Sequence, residues 1–285
     1  MGTYFTILTC RNSEADIQRS LLSLKNQTLK PEYVIVIDDG SSDRTAEILK
    51  DLKNDWENLY IITNPDLGYD IGRVVSNWNK ALKLVSDKNL RKTDYHMISA
   101  DDALYEQNYA DKIVRHMDAD SKLAIVSGVF NDDEFNTPSG GGRFIRNSFF
   151  IYKYGFYPEK MGYESAVLYM ALHDGYTYTI LKDARLIHMR ELGANHRFYE
   201  FGAGMRSLGF HPLFVFARFI TYFVKGKPIG RRGALNMLYY YLAFSPNKSG
   251  YRSIYDKEIR DFVRSTQCTR IKNIWKNIVL HVSKQ

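Results

Sequence analysis

The stretch from residue 33 to residue 45 constrains the fold of this chain more than any other. Five apolar residues run directly into Asp38 and Asp39, and a glycine and two serines follow. An unbroken Val/Ile run bounded by turn residues is typical of a strand buried on both faces of a parallel sheet. Its carboxyl end would open on the edge where α/β folds bind ligands. As an alternative, Asp43 only caps the helix that follows.

The first 130 residues alternate short apolar runs with helical patterns. The predicted strands cover residues 4–9, 33–37, 59–63, 95–98 and 123–126, and amphipathic helices lie between them. This alternation predicts an α/β fold with a parallel sheet and right-handed crossovers. After residue 130 it stops. A surface loop is expected over 131–148, a helix over 163–172, two short strands at 178–180 and 185–188, and helices from residue 198 onward.

A second predicted strand also ends in two carboxylates, Asp101 and Asp102. Because parallel strands end at the same edge of a sheet, these residues should lie on one rim with Asp38 and Asp39. Four carboxylates there repel one another unless a cation or a donor group lies among them. Hard oxygen ligands suit Mg²⁺ or Mn²⁺, with phosphate oxygens completing the shell. The pattern therefore favours a divalent metal bound with a nucleoside diphosphate.

The basic charge is concentrated near the carboxyl end. Of the formal net charge of +7, residues 212–285 carry +11, from 14 Lys and Arg against 3 Asp and Glu, and the first 211 residues carry −4. This asymmetry predicts a catalytic-type domain at 1–210 and a basic, aromatic-rich helical extension at 211–285. The two cysteines, Cys10 and Cys268, have neither metal-ligand nor disulfide spacing, so a reducing compartment is expected.

Residues 213–224 of this extension are mostly aromatic and aliphatic, with a single charge. A helix that spans a bilayer needs about 20 residues, so this run is too short to cross. Basic residues interleaved with aromatic runs are typical of helices that lie in a membrane interface. The sequence therefore predicts a cytoplasmic protein bound peripherally to the anionic inner face of the cell membrane. The alternative is that these helices complete the core or form a dimer interface.

Five motifs, in this order, resemble the family 2 glycosyltransferases of the GT-A fold. They are Val36-Ile37-Asp38-Asp39-Gly40-Ser41-Ser42-Asp43, Asn64-Pro65-Asp66-Leu67-Gly68, Ile98-Ser99-Ala100-Asp101-Asp102, Gly162-Tyr163-Glu164 with Gly175-Tyr176, and Asp183-Ala184-Arg185-Leu186-Ile187-His188. The resemblance implies a Rossmann-like, mostly parallel sheet flanked by helices. It also implies transfer of a sugar, with inversion, from a nucleotide-sugar donor. The extension resembles those of members that act on membrane-linked acceptors.

Carried over by position, the resemblance implies roles for individual side chains. The nucleotide pocket would contain Thr9, Arg11, Asp38, Asp39 and Asp101, the metal ligands would be Asp102 and His188, and the catalytic base would be Glu164. The metal would be Mg²⁺ or Mn²⁺. A UDP-sugar is the first expectation for the donor, with GDP- and dTDP-sugars as alternatives, and the acceptor would be a lipid-linked or other glycan. Ser99 departs from the pattern, because many members have an aspartate there.

Each of these residues also has an ordinary structural interpretation. Glu164 alone, at the head of a helix, could be a favourable partner of the helix dipole. His188 alone, ending an apolar strand, could be a hydrogen-bonded structural histidine. Arg73 and Asn77 could face the donor, but a solvated helix face is the stronger expectation for them. The order and spacing of all five motifs, more than any single residue, favour the enzyme.

Two other classes of function are weighed against the transferase. A sugar-phosphate nucleotidyltransferase shares the sheet architecture, but it needs a glycine-rich, basic loop after the first strand to hold a triphosphate. Residues 9–13 read Thr-Cys-Arg-Asn-Ser, without glycine. A non-catalytic nucleic-acid-binding protein would explain the basic extension. The interleaved aromatic runs suit a membrane interface better, so no nucleic-acid partner is expected.

Overall fold

The computed structural model describes residues 1–130, 137–190 and 198–282, with side chains described as far as residue 271. The strands are β1 (Tyr4–Cys10), β2 (Val34–Asp38), β3 (Leu59–Thr63), β4 (Tyr95–Ala100), β5 (Ala103–Tyr105), β6 (Leu123–Phe130), β7 (Arg143–Arg146) and β8 (Thr177–His188). The helices are α1 (Ile17–Lys25), α2 (Thr45–Asn54), α3 (Arg73–Asp87), α4 (Tyr109–Ala119), α5 (Tyr163–His173), α6 (Tyr199–Ser207), α7 (Pro212–Lys225), α8 (Gly230–Ala243) and α9 (Lys257–Val282).

Packing divides the chain into two compact units. The first is Met1–Pro158 with Asp174–Leu192, and the second is Glu159–His173 with Gly193–Gln285. Packing therefore groups α5 with the C-terminal helices, whereas the sequence predicts a domain boundary after residue 210. The prediction that separately folding domains meet at residue 210 stays a prediction.

The first unit is built on an eight-stranded sheet of order β3-β2-β1-β4-β7-β6-β8-β5. β2 and β4 lie on either side of β1 and run parallel to it, and β3 runs parallel to β2. Four of the seven neighbouring pairs are parallel, since β6 and β8 also pair in that way. The predicted α/β fold with a mostly parallel sheet, flanked by helices, is confirmed.

The apolar patterns of the sequence explain these elements. All five residues of β2 are buried, as expected for a strand covered on both faces. In α1 the buried apolar residues are Ile17, Leu21 and Leu24, at the spacing that puts them on one helix face. Burying each such side chain stabilises the fold by roughly 1.5–3 kcal/mol. This packing holds the carboxyl ends of β1, β2 and β4 at one edge of the sheet.

Two predictions about the second half of this unit are wrong. Residues 131–148 were expected to be a surface loop, and 131–136 lie outside the described residues. Within the rest of this range, β7 lies inside the sheet, antiparallel to both β4 and β6, with Phe144 and Ile145 fully buried. A strand of four residues is too short to show the alternation of apolar and polar side chains from which strands are predicted. The two short strands expected at 178–180 and 185–188 form one strand, β8, with an irregularity near Gly128 of its partner β6. The short strand β5 was not predicted.

The second unit is helical, as the sequence predicts. Glycine allows α6 and α8 to approach closely, because a Cβ at Gly202 would collide with the backbone carbonyl of Met237. α5 packs on α9, where Gln267 Nε2 donates a hydrogen bond to the Tyr169 hydroxyl at 3.4 Å. Among the helices of the described ranges, none combines the length and apolar character needed to cross a membrane. On α7, only Val215 is fully covered.

Candidate active site

The carboxyl ends of three neighbouring strands form the candidate site. Asp38, the last residue of β2, is in register with Cys10 at the end of β1. On the other side of β1, Thr9 is in register with Ala100, the last residue of β4, and Asp101 and Asp102 follow directly. The two acidic strand ends therefore share one rim, as expected from parallel pairing.

Asp38 is buried, and only one of its oxygens has a partner. Its Oδ1 accepts hydrogen bonds from the backbone N–H of Ser41 at 2.9 Å and from the Ser41 hydroxyl at 2.5 Å. Within the described part of the chain no group donates to Asp38 Oδ2, and the buried hydroxyl of Thr9 likewise has no partner. Buried polar atoms are nearly always hydrogen-bonded. The ends of β1 and β2 thus present a carboxylate oxygen and a hydroxyl suited to a ligand.

A glycine shapes the turn after Asp38. Gly40 has a φ of +72°, and a Cβ there would lie 2.6 Å from Asp66 Cα. Only glycine allows the β2 turn to pack this closely on the segment after β3. In the same turn, Asp43 Oδ1 accepts a hydrogen bond from the Thr45 backbone N–H at 3.0 Å. Asp43 therefore satisfies the first N–H group of α2, although Arg44 occupies the N-cap position.

Arg11 holds this turn in place. Its guanidinium donates to the carbonyl oxygens of Asp39 and Gly40 and pairs with Asp66 at 2.7 Å. The Arg11 side chain is only 17% exposed. Its observed contacts are therefore with the rim of the proposed nucleotide pocket, and any direct contact with a donor stays a prediction.

Asp39 lies in a buried polar network that was not expected. Arg73 donates to both of its oxygens at 3.0–3.2 Å, and Asn64 donates to Oδ1 at 3.0 Å. Asn64 also donates to Asn77 at 2.8 Å. Burial raises the pKa of Asp39, but the hydrogen bonds from Arg73, Asn64 and Asn77 outweigh it and lower that pKa below its ordinary value.

The expectation of a solvated helix face for Arg73 and Asn77 is wrong. Asn77 is fully buried, and the Arg73 side chain is 20% exposed and paired with Asp39. The two residues are four positions apart on α3, and both reach the segments that follow β2 and β3. Apolar periodicity cannot reveal this contact, because it depends on a carboxylate 34 residues away in the chain.

Asp102 and His188 form a pair on the other side of β1. β5 runs antiparallel to β8 and puts His188 opposite Ala103, next to Asp102. His188 Nδ1 lies 3.0 Å from Asp102 Oδ1, and the Arg190 backbone N–H donates to Asp102 Oδ2 at 3.2 Å. Burial raises the pKa of Asp102, but His188 and Arg190 outweigh it and lower that pKa. The predicted proximity of these two residues is present in the fold.

Arg190 is a site residue that the sequence analysis missed. Its guanidinium pairs with Asp101 and lies 3.4 Å from Asp16 and 3.5 Å from Asp102. Ser13 also donates to Asp101. Burial opposes the charge of Arg190, but Asp101 and Asp102 outweigh this effect and raise its pKa. A signal was available, since Arg190 follows His188 by two residues just beyond the end of β8.

Asp101 has a different environment from Asp102. Burial, with the nearby charge of Asp102, raises the pKa of Asp101 above its ordinary value, and the contacts with Arg190 and Ser13 offset only part of this rise. Ser99, at the position where an aspartate is common in the resembled family, shares a 2.8 Å hydrogen bond with the Tyr105 hydroxyl. Of this motif, Asp102 is therefore the carboxylate best suited to bind a cation.

The family of the chain follows from comparison with known sequences. The model of a family described as Glycosyl transferase family 2 matches residues 6–173, which is more than half of the chain. The chain belongs to this family. The match covers both acidic strand ends and includes Glu164, and it confirms the resemblance seen in the motifs.

Known proteins support the same assignment. The poly-beta-1,6-N-acetyl-D-glucosamine synthase of Staphylococcus epidermidis is 27% identical over 122 residues, 43% of this chain and 27% of that protein. The chain thus spans about a quarter of that curated relative. Among solved structures, the mannosyltransferase PcManGT from Pyrobaculum calidifontis, in complex with GDP-Man and Mn²⁺, has a TM-score of 0.59 at 15% identity, covering 85% of this chain and 70% of its own. S. aureus TarS 1-349 in complex with UDP-GlcNAc has a TM-score of 0.53 at 16% identity, covering 84% and 71%. These structures confirm the GT-A fold.

The metal implied by the family has a partial donor set in this glycosyltransferase domain. The described residues contain no cluster of three or more His, Cys, Asp or Glu side chains arranged to hold an ion. Asp102 and His188, 3.0 Å apart, offer one carboxylate and one imidazole. Mg²⁺ is commonly held by one or two carboxylates together with substrate phosphates and water. The side chains present fit an ion that is shared with a diphosphate.

Glu164, the predicted catalytic base, belongs to the second unit. It lies in the first turn of α5, and its side chain is partly buried. The other predicted site residues, Thr9, Arg11, Asp38, Asp39, Asp101, Asp102 and His188, all belong to the first unit. The role of Glu164 stays a prediction.

Proposed function

We propose that this chain is an inverting glycosyltransferase that moves a sugar from a nucleotide-sugar donor to a hydroxyl group of a glycan acceptor. Family membership supports the reaction class. The observation that carries the donor assignment is the pair of unpartnered buried groups, Asp38 Oδ2 and the Thr9 hydroxyl, at the ends of neighbouring strands. Known relatives bind UDP-GlcNAc or GDP-Man, so UDP- and GDP-sugars are the first candidates, followed by dTDP-sugars.

The donor would bind with its nucleoside at the end of β2. Asp38 Oδ2 can accept a hydrogen bond from a base N–H or a ribose hydroxyl, and the Thr9 hydroxyl can donate or accept. Asp39 is paired with Arg73, and Arg11 donates hydrogen bonds to the carbonyl oxygens of Asp39 and Gly40. In this proposal Arg11 and Asp39 keep the pocket in the shape that the nucleoside needs, while Asp38 and Thr9 touch it.

The diphosphate would lie toward Asp102 and His188. A divalent metal, Mg²⁺ or Mn²⁺, bound by these two side chains would offset the negative charge that the leaving diphosphate gains. Arg190 already offsets part of the charge of Asp16, Asp101 and Asp102, and the metal would offset more, which reduces the repulsion between this acidic rim and an anionic donor.

In the transfer step, the oxygen of the acceptor hydroxyl attacks the anomeric carbon from the face opposite the diphosphate. A new C–O bond forms, the bond from the anomeric carbon to the phosphate oxygen breaks, and its electron pair leaves with the nucleoside diphosphate. The hydroxyl proton passes to the carboxylate of Glu164, which acts as general base. Because the attack is in line, the configuration at the anomeric carbon inverts.

We infer that the acceptor is lipid-linked and that the second unit binds an anionic membrane surface. On α7, Leu213, Phe216, Ile220 and Val224 are 46–69% exposed, at a spacing that puts them on one face. On α8, Leu235, Tyr239 and Leu242 are 50–70% exposed. Four basic residues lie between or just after these faces, Lys225, Lys227, Arg231 and Arg232. Apolar faces flanked by cations fit a headgroup interface.

Ligand-dependent thermal stability tests the donor assignment. We expect one class among UDP-, GDP-, dTDP- and CMP-sugars to raise the melting temperature by several degrees, more so with Mn²⁺. Saturation at 100 times Kd stabilises the folded state by about 2.7 kcal/mol. Asp38→Asn should lose most of this shift, because the amide presents donors where an acceptor is needed. Asp51→Asn, on the exposed side of α2, is the matched control. Equal shifts in wild type and Asp38→Asn would refute the assignment.

Liposome flotation tests the membrane proposal with the full chain, because α9 packs on α5 and a truncated chain would lose that contact. Wild type should float with anionic vesicles at low salt. A Phe216→Ser/Ile220→Ser double variant should float at least several-fold less. Leu67→Ser removes an apolar side chain of the first unit that is more exposed than Phe216 or Ile220, and this variant should float normally. A double variant that floats like wild type contradicts the proposal.

A further inference from the structure

The second unit contains a cavity of about 220 Å³ that the proposed reaction does not use. We call it the arginine cavity. It is lined by Arg206, Gly209, Phe210, Phe244, Pro246, Ile254, Arg260 and Arg264. Arg206 is in the last turn of α6, and Arg260 and Arg264 are one helical turn apart on α9. The cavity is several times the ~30 Å³ occupied by one water molecule, so it has room for a phosphate or diphosphate group.

Three arginine residues line this cavity, and none of them has a carboxylate ion-pair partner among the described residues. Within the described ranges, no ion pair joins Arg206, Arg260 or Arg264 to an acidic side chain. The acidic residues of α9 and of the segment before it have other ion-pair partners: Asp256 with Lys160, Glu258 with His173, and Asp261 with Lys257. Lys257 contributes most to lowering the pKa of Asp261, and the more distant charges of Arg264 and Arg260 add to it. Like charges gathered in a cavity repel one another, which favours a bound anion.

Few N–H groups of the three arginines are used in hydrogen bonds within the described residues, so most can donate to a ligand. Arg264 Nε donates to the carbonyl oxygen of Gly209 at 2.9 Å, and the Arg206 guanidinium lies 5.5 Å from the centre of the Tyr241 ring. Arg260 Nε is buried and, among the described groups, has no hydrogen-bond acceptor. Buried donors usually have a partner, so this N–H group is suited to an acceptor that binds in the cavity.

A glycine keeps this arrangement possible. Gly209 has a φ of +71°, and a Cβ there would lie 2.8 Å from Arg260 Nε. Any other residue would push the Arg260 side chain away from the turn between α6 and α7. The backbone therefore accommodates the guanidinium at close range.

We propose that the arginine cavity is a binding site for a phosphate or diphosphate group. Guanidinium groups bind such anions through paired, charge-assisted hydrogen bonds, in a fork geometry that lysine lacks. The group could be free in solution or carried on an apolar chain. Phe210 and Phe244 line the cavity, Phe210 lies just before α7, and Phe244 caps the end of α8. An apolar carrier could therefore continue along the exposed faces of these helices. The site does not depend on the donor assignment.

Titration calorimetry with pyrophosphate tests the proposal. The donor site is intact in every variant, so differences between them report on the arginine cavity. Arg264→Gln and Arg206→Gln remove exposed side chains and should each weaken pyrophosphate binding tenfold or more. Arg264→Lys should recover only part of the loss. Arg19→Gln, an exposed arginine of α1 outside the cavity, is the matched control and should bind as wild type does. Wild-type binding in both cavity variants would overturn the proposal.

The source of the phosphate is decided by a second titration. Farnesyl diphosphate binding at least tenfold more tightly than pyrophosphate, with both affinities lowered tenfold or more by Arg264→Gln, assigns a lipid-linked phosphate. Equal affinity for the two probes assigns a soluble phosphate. Nucleotide-sugar binding with Mn²⁺ should be unchanged in both cavity variants. This readout separates the cavity from the donor site, because a failure of the donor assignment would appear in wild type as well.

Discussion

The buried histidine of β4 should make the stability of the first unit depend on pH. His96 is fully buried, and its ring touches two polar partners at 2.6 Å. Asn147 offers its carbonyl oxygen to Nδ1, because its amide nitrogen already donates to Thr93, and the Tyr157 hydroxyl faces Nε2. A neutral imidazole with its proton on Nδ1 satisfies both partners. Burial lowers the pKa of His96 to about 4, and the bond to Asn147 offsets only a little of this.

The size and sign of the effect follow from this value. An unfolded histidine has a pKa near 6.5, so between pH 6.5 and about pH 4 the unfolded chain binds a proton that the folded chain does not. Stability therefore falls as pH decreases through this window. Linkage with these two values gives a loss of about 2 kcal/mol between pH 7 and pH 5 from His96 alone.

Urea unfolding followed by tryptophan fluorescence at pH 7, 6 and 5 measures this loss, since Trp78 lies 5.1 Å from the Tyr157 ring. His96→Gln keeps polar groups in the site but does not titrate. The stability difference between wild type and His96→Gln should change by about 2 kcal/mol from pH 7 to pH 5. Effects of other groups cancel in this difference. His116→Gln, on an exposed side of α4, should behave as wild type does. A pH-independent difference would show that His96 is not held neutral by burial.

Four further predictions concern the site. Gly40→Ala should destabilise the chain by roughly 1–3 kcal/mol in urea unfolding, because its Cβ would meet the Asp66 backbone and its φ is positive; unchanged stability would contradict the packing described. Asp102→Asn should lose the Mn²⁺-dependent part of nucleotide affinity in calorimetry while keeping the metal-free part, and an unchanged metal effect would remove Asp102 from the site. Glu164→Gln should keep donor affinity but lower kcat by roughly 10² or more, and a wild-type rate would assign the base elsewhere. Arg73→Met should weaken donor binding by disturbing Asp39, and a donor affinity equal to that of wild type would show that this network has no part in the pocket.

The helices and strands that could be predicted are those whose apolar pattern lies within their own residues. The strand and helix patterns of the first 130 residues match β1 to β4, β6 and α1 to α4, because each element carries its own apolar period. The shared rim of Asp38 and Asp102 could be predicted as well, since parallel pairing brings strand ends to one edge. β7 could not, because four residues gain their place in the sheet only by pairing with β4 and β6.

The sequence by itself determined the family, the α/β architecture, the acidic strand ends and the basic C-terminal helices, because each is written in contiguous residues or in their order. The tertiary structure alone decided which polar groups meet. Arg73 reaches Asp39 across 34 residues, and Arg190 reaches Asp101 across 89. The arginine cavity likewise brings together residues of α6 and α9 that are far apart in the sequence. Such contacts depend on how distant segments pack. The sequence around a charged residue does not show which residue will be its partner in the folded chain.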